Sequence, residues 1–366
     1  YMCFVDLAKA FDSVNRELLW YKLCKYKFST KFLNILKSLY SNLHACVKTK
    51  NGMTDSFPIE IGTRQGCNLS PMLFNLFIND LPTFLQRNNS GFVQMGDVKI
   101  RCILYADDIV LMSESQAGLQ RSLNQLEAYC NKWQLMVNID KTKIIVFHKK
   151  FNENMPFTIF NRTIEVVKKQ AYLGIILSSS GTFKPAIENL YSKATKAYHS
   201  LRKDFNFHNG THPRVIRKLF EVMIVPILTY GSEIWGCFGW RNNSAANVQR
   251  YLFNNGHCFE KLQFQMCKMA LGLKRHVPNV IARAEMGVFP LMGHIMKRVF
   301  SYWQHAIKSP DDTLLNKALQ ASISMDRAGH ASYYTKIKEI LYSLSMASHI
   351  YAVPNSVVRS YSNNIR

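Results

Sequence analysis

The spacing of apolar residues changes along the chain, and these changes predict an α+β fold. Short apolar runs rich in β-branched or aromatic residues lie just before Asp6, at residues 98–113 and at Lys143–His148, and each predicts strand structure. Between the last two runs, apolar residues recur at helical spacing, at Leu119, Leu123, Leu126, Cys130 and Trp133. The order of strand, helices, hairpin, helix and strand predicts an antiparallel sheet backed by helices.

Capping residues predict where the early helices begin. Ser13 is expected to cap a helix that turns leucines 18, 19 and 23 inward, and a second helix is predicted at Lys31–Tyr40. Ser70 is expected to cap a third helix with Pro71 in its first position. The apolar face predicted for this third helix consists of Leu73, Phe74, Phe77, Ile78 and Leu81.

Two other regions have clear signals. The dipeptide Asn51-Gly52 predicts a hairpin between strands at His44–Lys50 and Ser56–Gly62. Beyond Gly181 the pattern becomes helical, with a bend expected at Pro226 because proline interrupts helical hydrogen bonding. The helices predicted there are Ala186–Phe205, His212–Tyr230 and Asn254–Leu273.

Candidate chemistry begins with two adjacent carboxylates, Asp107 and Asp108, which lie between the apolar runs of residues 98–113. Ala106 and Asp107 are expected to form the bend of a tight hairpin. If this pair is buried, it needs a cation, which indicates a divalent metal site at the hairpin tip. Side chains alternate along a strand, so Asp107 is expected to be the principal ligand. The alternative is an ordinary Asp-Asp turn.

Two further stretches strengthen the metal interpretation, namely Phe4–Asp12, which contains Asp6, and Gly62–Pro71. With the Asp pair, they resemble in order and spacing the reverse transcriptases of non-LTR (LINE-like) retrotransposons. The resemblance covers Phe4 to about Gly181. It implies a right-hand polymerase: a palm with part of the fingers at 1–168, a primer-grip hairpin and helical thumb at 169–275, and a helical region of unknown role at 276–366.

The resemblance implies a two-metal nucleotidyl transfer from dNTPs to a primer 3′ hydroxyl on an RNA template. Asp6 and Asp107 would bridge two Mg²⁺ ions, with Mn²⁺ as a substitute, and Asp108 would complete the set. The carbonyl of Leu7 is a further candidate ligand. Lys141, in an Asn-x-x-Lys-Thr stretch, would protonate the departing pyrophosphate, and its alternative is a solvated lysine.

The nucleotide pocket implied by the family involves Phe11, Arg64, Gln65 and Gly66. Phe11 would block a ribose 2′ hydroxyl, and its alternative is a core phenylalanine. Gln65 and Gly66 would contact the nucleotide, since a glycine lets backbone approach it. Arg64 is either a phosphate ligand or a surface charge. Family members commonly have proline where this chain has Asn68.

Nucleic-acid contacts are also implied by the resemblance. Tyr172, Leu173 and Gly174 match the primer grip, although the first two are equally compatible with strand core. The remaining candidates are Tyr105, Lys193, Lys196, Arg202 and Lys203. Residues 141–220 contain 15 Lys and Arg against 4 Asp and Glu, which is +11 of a net +22. This basic block just after the acidic site favours a polyanionic partner.

The remaining composition limits the class of protein. The 366 residues contain nine cysteines without a Cys-x-x-Cys pair, which favours reduced thiols in the nucleus or cytoplasm. The apolar runs are too short to predict a membrane span. We interpret the chain as a fragment without the N-terminal fingers strands and without an endonuclease. Two alternatives to an active reverse transcriptase are an inactive nucleic-acid-binding relic and an RNA-copying RNA polymerase.

Overall fold

A computed structural model describes residues 1–50, 52–64, 66–88, 90–147, 155–205, 211–238 and 257–344. The chain forms two compact units. The first contains Tyr1–Tyr172 and Ser178–Gly181, and the second contains Leu173–Leu177 and the residues from Thr182 onward. Both helices and strands are present, so the predicted α+β class is confirmed.

The centre of the first unit is a five-stranded sheet in which the first strand of the chain is the middle one. This strand, Met2–Val5, pairs antiparallel on one side with Asp108–Met112 and on the other with Lys143–Ile145. The edges are Cys102–Tyr105, which is antiparallel, and Glu165–Val166, which is parallel to its neighbour. The sheet is therefore antiparallel apart from this last pair.

Strands are numbered in chain order, and β1, β8, β9, β10 and β13 form the central sheet. The strands are β1 Met2–Val5, β2 His44–Ala45, β3 Lys48–Thr49, β4 Gly52–Met53, β5 Phe57–Pro58, β6 Val93–Met95, β7 Val98–Ile100, β8 Cys102–Tyr105, β9 Asp108–Met112, β10 Lys143–Ile145, β11 Thr158–Ile159, β12 Arg162–Thr163, β13 Glu165–Val166, β14 Lys169–Tyr172 and β15 Ile175–Ser178.

The helices of the first unit pack around one hydrophobic core with this sheet. They are α1 Arg16–Lys25, α2 Thr30–Tyr40, α3 Ser70–Ile78, α4 Leu81–Arg87 and α5 Gln116–Trp133. All five predicted apolar residues of α5 are buried, as are the five predicted for the third helix, of which Leu81 belongs to α4. In α1, Leu19 and Leu23 are fully buried, whereas Leu18 is half-buried.

Both predicted serine caps are wrong. Residues 9–13 form a turn in which Lys9 adopts a φ of 49°, and the Ser13 hydroxyl donates to the carbonyl of Ala8. Asn15 therefore caps α1, because its side chain accepts from the amide of Leu18. Ser70 is already the first residue of α3, and its hydroxyl donates 2.5 Å to the carbonyl of Arg64.

The predicted hairpin at residues 44–62 is divided into two short strand pairs. β2 pairs with β5 and β3 pairs with β4. Residues 59–62 do not continue a strand, and the carbonyls of Ile59, Ile61 and Gly62 accept from the guanidinium of Arg16. Asn51 of the predicted turn lies outside the described residues. The predicted strand at 143–148 ends at Ile145, and His148 is also outside them.

The second unit is helical around its own core, to which β15 contributes. Its helices are α6 Lys184–Asp204, α7 Pro213–Leu219, α8 Val225–Leu228, α9 Ser232–Trp235, α10 Cys258–Ala270, α11 Asn279–Met286, α12 Leu291–Lys308, α13 Leu314–Arg327 and α14 Tyr333–Ser343. Buried residues from both sides of residue 275 share this core, so a separate region at 276–366 stays a prediction. Among the described residues, we find no helix long and apolar enough to cross a membrane.

Pro226 affects its helix differently from the prediction. Residues Phe220–Ile224 form a π-helical turn between α7 and α8, so the deviation precedes the proline. Proline has no amide proton and its ring clashes with the carbonyl four residues earlier. A wider, π-helical turn immediately before the proline accommodates both effects. Such π-bulges are a known cause of local helix distortion.

Candidate active site

The predicted Asp107–Asp108 hairpin forms between Cys102–Tyr105 and Asp108–Met112, whereas Val98–Ile100, which were predicted to be part of it, pair with Val93–Met95. Tyr105 pairs with Asp108, so Ala106 and Asp107 are the two loop residues, and Ala106 has a φ of 53°. Both carboxylates are exposed, in contrast to the burial considered from the sequence. The energetic cost of burying an unpaired Asp therefore does not apply here, and the case for a metal site depends on what surrounds the hairpin tip.

Asp6 directly follows β1, and β1 lies beside the strand that starts at Asp108. Val5 pairs with Ile109, so the register brings Asp6 level with Asp108. Asp6 and Asp107 line one cavity of about 920 Å³, and Asp6 and Asp108 line a second of about 440 Å³. Carboxylates about a hundred positions apart in the sequence thus converge at one end of the sheet.

The electrostatics of Asp108 reflect this convergence. Burial of part of the group raises its pKa, and the charges of Asp107 and Asp6 raise it further. Like charges that share a site disfavour the ionised form of each other. A cation bound at this end of the sheet would relieve that repulsion.

The larger cavity brings together many of the predicted pocket residues. Leu7, Phe11, Arg64, Gly66 and Lys141 line it with Asp6 and Asp107. The Phe11 ring is half-buried and packs on Phe74, with ring centroids 4.9 Å apart. It therefore both supports the core and forms part of the cavity wall. Gln65 lies outside the described residues.

Gly66 and Arg64 lie on the loop that precedes α3. Gly66 has a φ of 76°, a conformation that favours glycine, and a Cβ there would point into open space. The cavity can therefore be approached closely at this backbone position. Arg64 is exposed, and among the described residues it has no carboxylate partner within ion-pair distance. This arrangement leaves its guanidinium accessible to an anion.

Arg16 organises this loop and was missed by the sequence reasoning. Its guanidinium donates to the carbonyls of Gly62 at 2.9 Å and Ile59 at 2.9 Å, and also to those of Ile61 and Tyr40. Gly62 has a φ of 84°, and a Cβ there would lie 2.6 Å from the carbonyl oxygen of Asp12. The only sequence signal was an arginine in the first turn of α1, which is ordinary in an exposed helix.

Thr63 joins the same loop to Phe11. Its amide donates 2.8 Å to the Phe11 carbonyl, and its hydroxyl donates to the same oxygen at 3.2 Å. Thr63 is buried. Arg16 and Thr63 together hold the loop that carries Arg64 and Gly66 against the turn that carries Phe11.

Leu7 and Lys141 both line the larger cavity with Asp6. Leu7 forms an isolated antiparallel bridge with Val137, and the hydrogen bonds are made by the flanking residues, from Ala8 to Met136 and from Asn138 to Asp6. In this pattern the carbonyl of Leu7 points away from Val137. Lys141 is exposed and, like Asp6, lines both cavities.

Tyr172 and Tyr105 differ in their placement. Tyr172 is half-buried, lines the smaller cavity and packs on Phe4 with centroids 5.6 Å apart. Its buried hydroxyl has no hydrogen-bond partner among the described residues, and burial and then Asp108 raise its pKa. Tyr105 is 63% exposed at the end of β8 and lines neither cavity.

The other predicted nucleic-acid residues belong to the second unit. Leu173 has a φ of 45°, and its carbonyl accepts 2.8 Å from the hydroxyl of Tyr230, a contact that the sequence did not indicate. Gly174 has a φ of 81°, and a Cβ there would lie 3.1 Å from the Tyr230 ring. Lysines 193, 196 and 203 are exposed on α6. Arg202 is half-buried, with its guanidinium 5.8 Å from the centroid of the Tyr198 ring.

The donor set fits a hard divalent cation by its chemistry. Three carboxylates and one backbone carbonyl are oxygen ligands of the type that Mg²⁺ and Mn²⁺ prefer. Within the described ranges, no three His, Cys, Asp or Glu side chains are grouped closely enough to hold one ion between them. The chemistry of the donors therefore fits such an ion, whereas a complete chelating cluster is not formed by side chains alone.

Comparison with known proteins decides the family. The family model described as reverse transcriptase (RNA-dependent DNA polymerase) matches residues 1–177. These residues form a reverse transcriptase domain. The resemblance inferred from the Asp6, Gly62–Pro71 and Asp107–Asp108 motifs is thereby confirmed. The reverse transcriptase domain coincides closely with the part of the chain that contains both cavities.

Several relatives of this chain are proteins of transposons or other mobile elements. A probable RNA-directed DNA polymerase from transposon BS of Drosophila melanogaster is 29% identical over 67% of this chain and 27% of its own length. The RNA-directed DNA polymerase from mobile element jockey of Drosophila funebris is 27% identical, over 64% and 26%. The Pol polyprotein of the type-1 element R2 of Nasonia vitripennis is 32% identical, over 51% and 19%. The chain thus spans about a quarter or less of these relatives.

Similarity to solved structures is weaker. The structure of apo telomerase from Candida tropicalis has 12% identity and a TM-score of 0.37, and it covers 87% of this chain and 53% of the telomerase chain. A telomerase from Candida albicans in complex with a fragment of telomeric RNA has 14% identity and a TM-score of 0.33, over 82% and 47%. Values this low support no argument about function.

Proposed function

We propose that this chain is the catalytic part of an RNA-directed DNA polymerase that adds dNTPs to a primer 3′ hydroxyl on an RNA template. The observation that carries the proposal is the shared cavity of about 920 Å³, where Asp6 and Asp107 lie with Phe11, Arg64 and Lys141. Carboxylates for metal ions, cations for phosphates and an aromatic wall are the groups that nucleotidyl transfer requires at one place.

The carboxylates of Asp6, Asp107 and Asp108, with the carbonyl of Leu7, would hold two Mg²⁺ ions, or Mn²⁺ in their place. Two bound ions of this kind would lower the pKa of the primer 3′ hydroxyl and neutralise charge on the transferred phosphate. Asp107, at the hairpin tip, is the ligand that faces the nucleotide cavity, and Asp108 is the one that faces the smaller cavity. Asp6 belongs to both.

The remaining residues bind and orient the nucleotide. The Arg64 guanidinium is suited to the triphosphate because its planar donors match phosphate oxygens. The Phe11 ring, fixed by Phe74, would exclude a ribose 2′ hydroxyl and so favour dNTPs over rNTPs. Lys141 would donate a proton to the departing pyrophosphate from its ammonium, which acts as a general acid.

Nucleic-acid binding is proposed for residues of both units. Tyr172 in the smaller cavity, with Leu173 and Gly174 next in the chain, would hold the primer terminus. Tyr105, at the end of β8, would contact the bound nucleic acid. The lysines and arginine of α6, namely Lys193, Lys196, Arg202 and Lys203, would contact phosphates, so binding should weaken as salt rises.

A primer-extension assay tests the proposal, with an RNA template, a DNA primer and Mg²⁺. We expect the wild-type chain to extend with dNTPs and not with rNTPs. Asp107→Asn should reduce extension by at least about 100-fold, because a metal ligand loses its charge. It should leave salt-sensitive template binding unchanged, since phosphate contacts are made elsewhere.

The matched control is Asp97→Asn, which removes an exposed carboxylate that lines neither cavity. This variant should extend normally. Normal extension by Asp107→Asn would refute the metal assignment. Template binding without extension by the wild type would favour the relic, and preference for rNTPs would favour an RNA polymerase.

A further inference from the structure

The loop of residues 138–142 is hydrogen-bonded to both backbone groups of Asp6. The amide of Asn138 donates 2.7 Å to the Asp6 carbonyl, and the amide of Asp6 donates 3.2 Å to the hydroxyl oxygen of Thr142. The regular β1–β10 ladder ends at the pair of Phe4 with Lys143. Beyond this pair, the acceptor for the Asp6 amide is the side chain of Thr142 and not a backbone carbonyl of β10.

The Thr142 hydroxyl has a defined orientation. Thr142 is fully buried, and its hydroxyl donates 2.8 Å to the carbonyl of Asn138. Its proton is therefore used, and the oxygen accepts from the Asp6 amide. Both partners are backbone groups, so the hydroxyl links the turn at Asn138 to the end of β1.

The same loop determines where Lys141 lies. The amide of Lys141 donates 3.3 Å to the side-chain oxygen of Asn138, and the amide of Thr142 donates 2.9 Å to the Asn138 carbonyl. Asp6 and Lys141 therefore share one hydrogen-bonded frame. Their side chains line the same two cavities.

We propose that Thr142 and Asn138 are positioning residues that hold the Asp6 carboxylate and the Lys141 ammonium in one arrangement for nucleotidyl transfer. This inference rests on the proposed function. Asp6 lies past the end of its strand, so it depends on these bonds for its placement. A displacement of about 1 Å in a catalytic group can reduce turnover about 100-fold.

The test removes the hydroxyl and then restores it. Thr142→Val keeps the shape of the side chain, and Thr142→Ser keeps the hydroxyl. We expect the valine variant to lower kcat about 10- to 100-fold with a change in the KM for dNTP below about 3-fold, because orientation is lost and not nucleotide contact. The serine variant should return kcat to within about 3-fold of wild type.

Ser122→Ala is the matched control for the loss of a buried hydroxyl. Ser122 is fully buried in α5, donates to the carbonyl of Gly118 and lines neither cavity. It should leave kcat unchanged. Equal impairment of the valine and serine variants of Thr142, or a valine variant with wild-type kcat, would overturn the inference.

A second measurement does not depend on activity. Hydrogen exchange of the Asp6 amide should be at least about 10-fold faster in Thr142→Val than in wild type or in Ser122→Ala, since its acceptor is removed. If the wild-type chain extends no primer, the proposed function fails, and this exchange rate still decides whether Thr142 holds Asp6. An unchanged rate would contradict the inference in either case.

Discussion

The buried amino group of Lys22 provides a quantitative test of the packing among the helices of the first unit. Lys22 is 2% exposed in α1, and its Nζ lies 2.6 Å from Asp80 and 2.8 Å from the Tyr129 hydroxyl. The same Nζ lies 3.8 Å from the centroid of the Trp133 ring and also donates to the carbonyl of Phe77. One cation thus joins α1 to the end of α3 and to α5.

Burial lowers the pKa of Lys22 from 10.5 to about 8, and Asp80 offsets only part of this effect. Between these two pH values the unfolded chain keeps a proton that the folded chain has released. The free energy of unfolding therefore rises with pH through this window, by about 1.4 kcal/mol per pH unit. From pH 7 to pH 9.5 the contribution of Lys22 should increase by about 2 kcal/mol.

The perturbation is Lys22→Met, which keeps an unbranched apolar stem and removes the titrating group. Buried thiols such as Cys3 and Cys130 also affect stability at high pH, because burial raises their pKa. They are present in both proteins, so the wild-type minus variant difference isolates Lys22. The difference in the free energy of unfolding is measured by urea denaturation at pH 7.0, 8.0, 9.0 and 9.5. Amide exchange in α1 and α5 monitors the unfolding of this unit.

Lys25→Met is the control, since Lys25 is exposed in the same helix. Its difference from wild type should stay within about 0.5 kcal/mol over this range. If the Lys22→Met difference is equally flat from pH 7 to pH 9.5, Lys22 keeps an ordinary pKa and the reasoning from burial is wrong.

Two further predictions concern other arginine contacts. Arg16→Lys keeps the charge but loses the planar guanidinium that binds several carbonyls. The KM for dNTP should therefore rise at least about 5-fold in steady-state primer extension. An unchanged KM would show that Arg16 does not position the loop that carries Arg64 and Gly66. Glu260→Gln leaves the buried Arg283 without its carboxylate partner and should lower the stability of the second unit by about 3 kcal/mol in urea denaturation. The control is Glu188→Gln, because Glu188 is 3.9 Å from Lys184 in an exposed ion pair and its loss should change stability by less than about 0.5 kcal/mol. Equal losses of stability in the Glu260 and Glu188 variants would contradict this reasoning.

Local signals predicted much of the first unit because they depend on residues close in sequence. The hairpin at Ala106-Asp107, the buried face of α5 and the position of Asp6 after a strand all follow from short-range patterns. The family motifs then indicated which carboxylates meet, which no local pattern can show. The serine caps were wrong because the turn at residues 9–13 moves the start of α1 to Arg16, and because α3 already begins at Ser70.

Contacts between distant residues could not be predicted. The hydrogen-bond partners of Lys22 are 55 to 107 positions away, and in the sequence it is an ordinary lysine in a helix. Arg16 binds the carbonyls of Ile59, Ile61 and Gly62, whereas the sequence of that stretch indicated a strand. The region 276–366 had no predicted role. Gly287 ends α11 with a φ of 61°, and the Met286 and Phe289 carbonyls accept from Arg217 and Gln263, so these residues join helices of the second unit.

The central position of β1 has a consequence for how the protein matures. Its two neighbours in the sheet are about 105 and 140 residues away in sequence, so its pairing is dominated by nonlocal contacts. Closing such long loops costs chain entropy before any contact compensates for it, and it slows folding. During synthesis on the ribosome, Met2–Val5 can pair with Lys143–Ile145 only after the latter has emerged. The end of the sheet that carries Asp6 and Asp108 is therefore expected to assemble late, after the helices between these strands have formed.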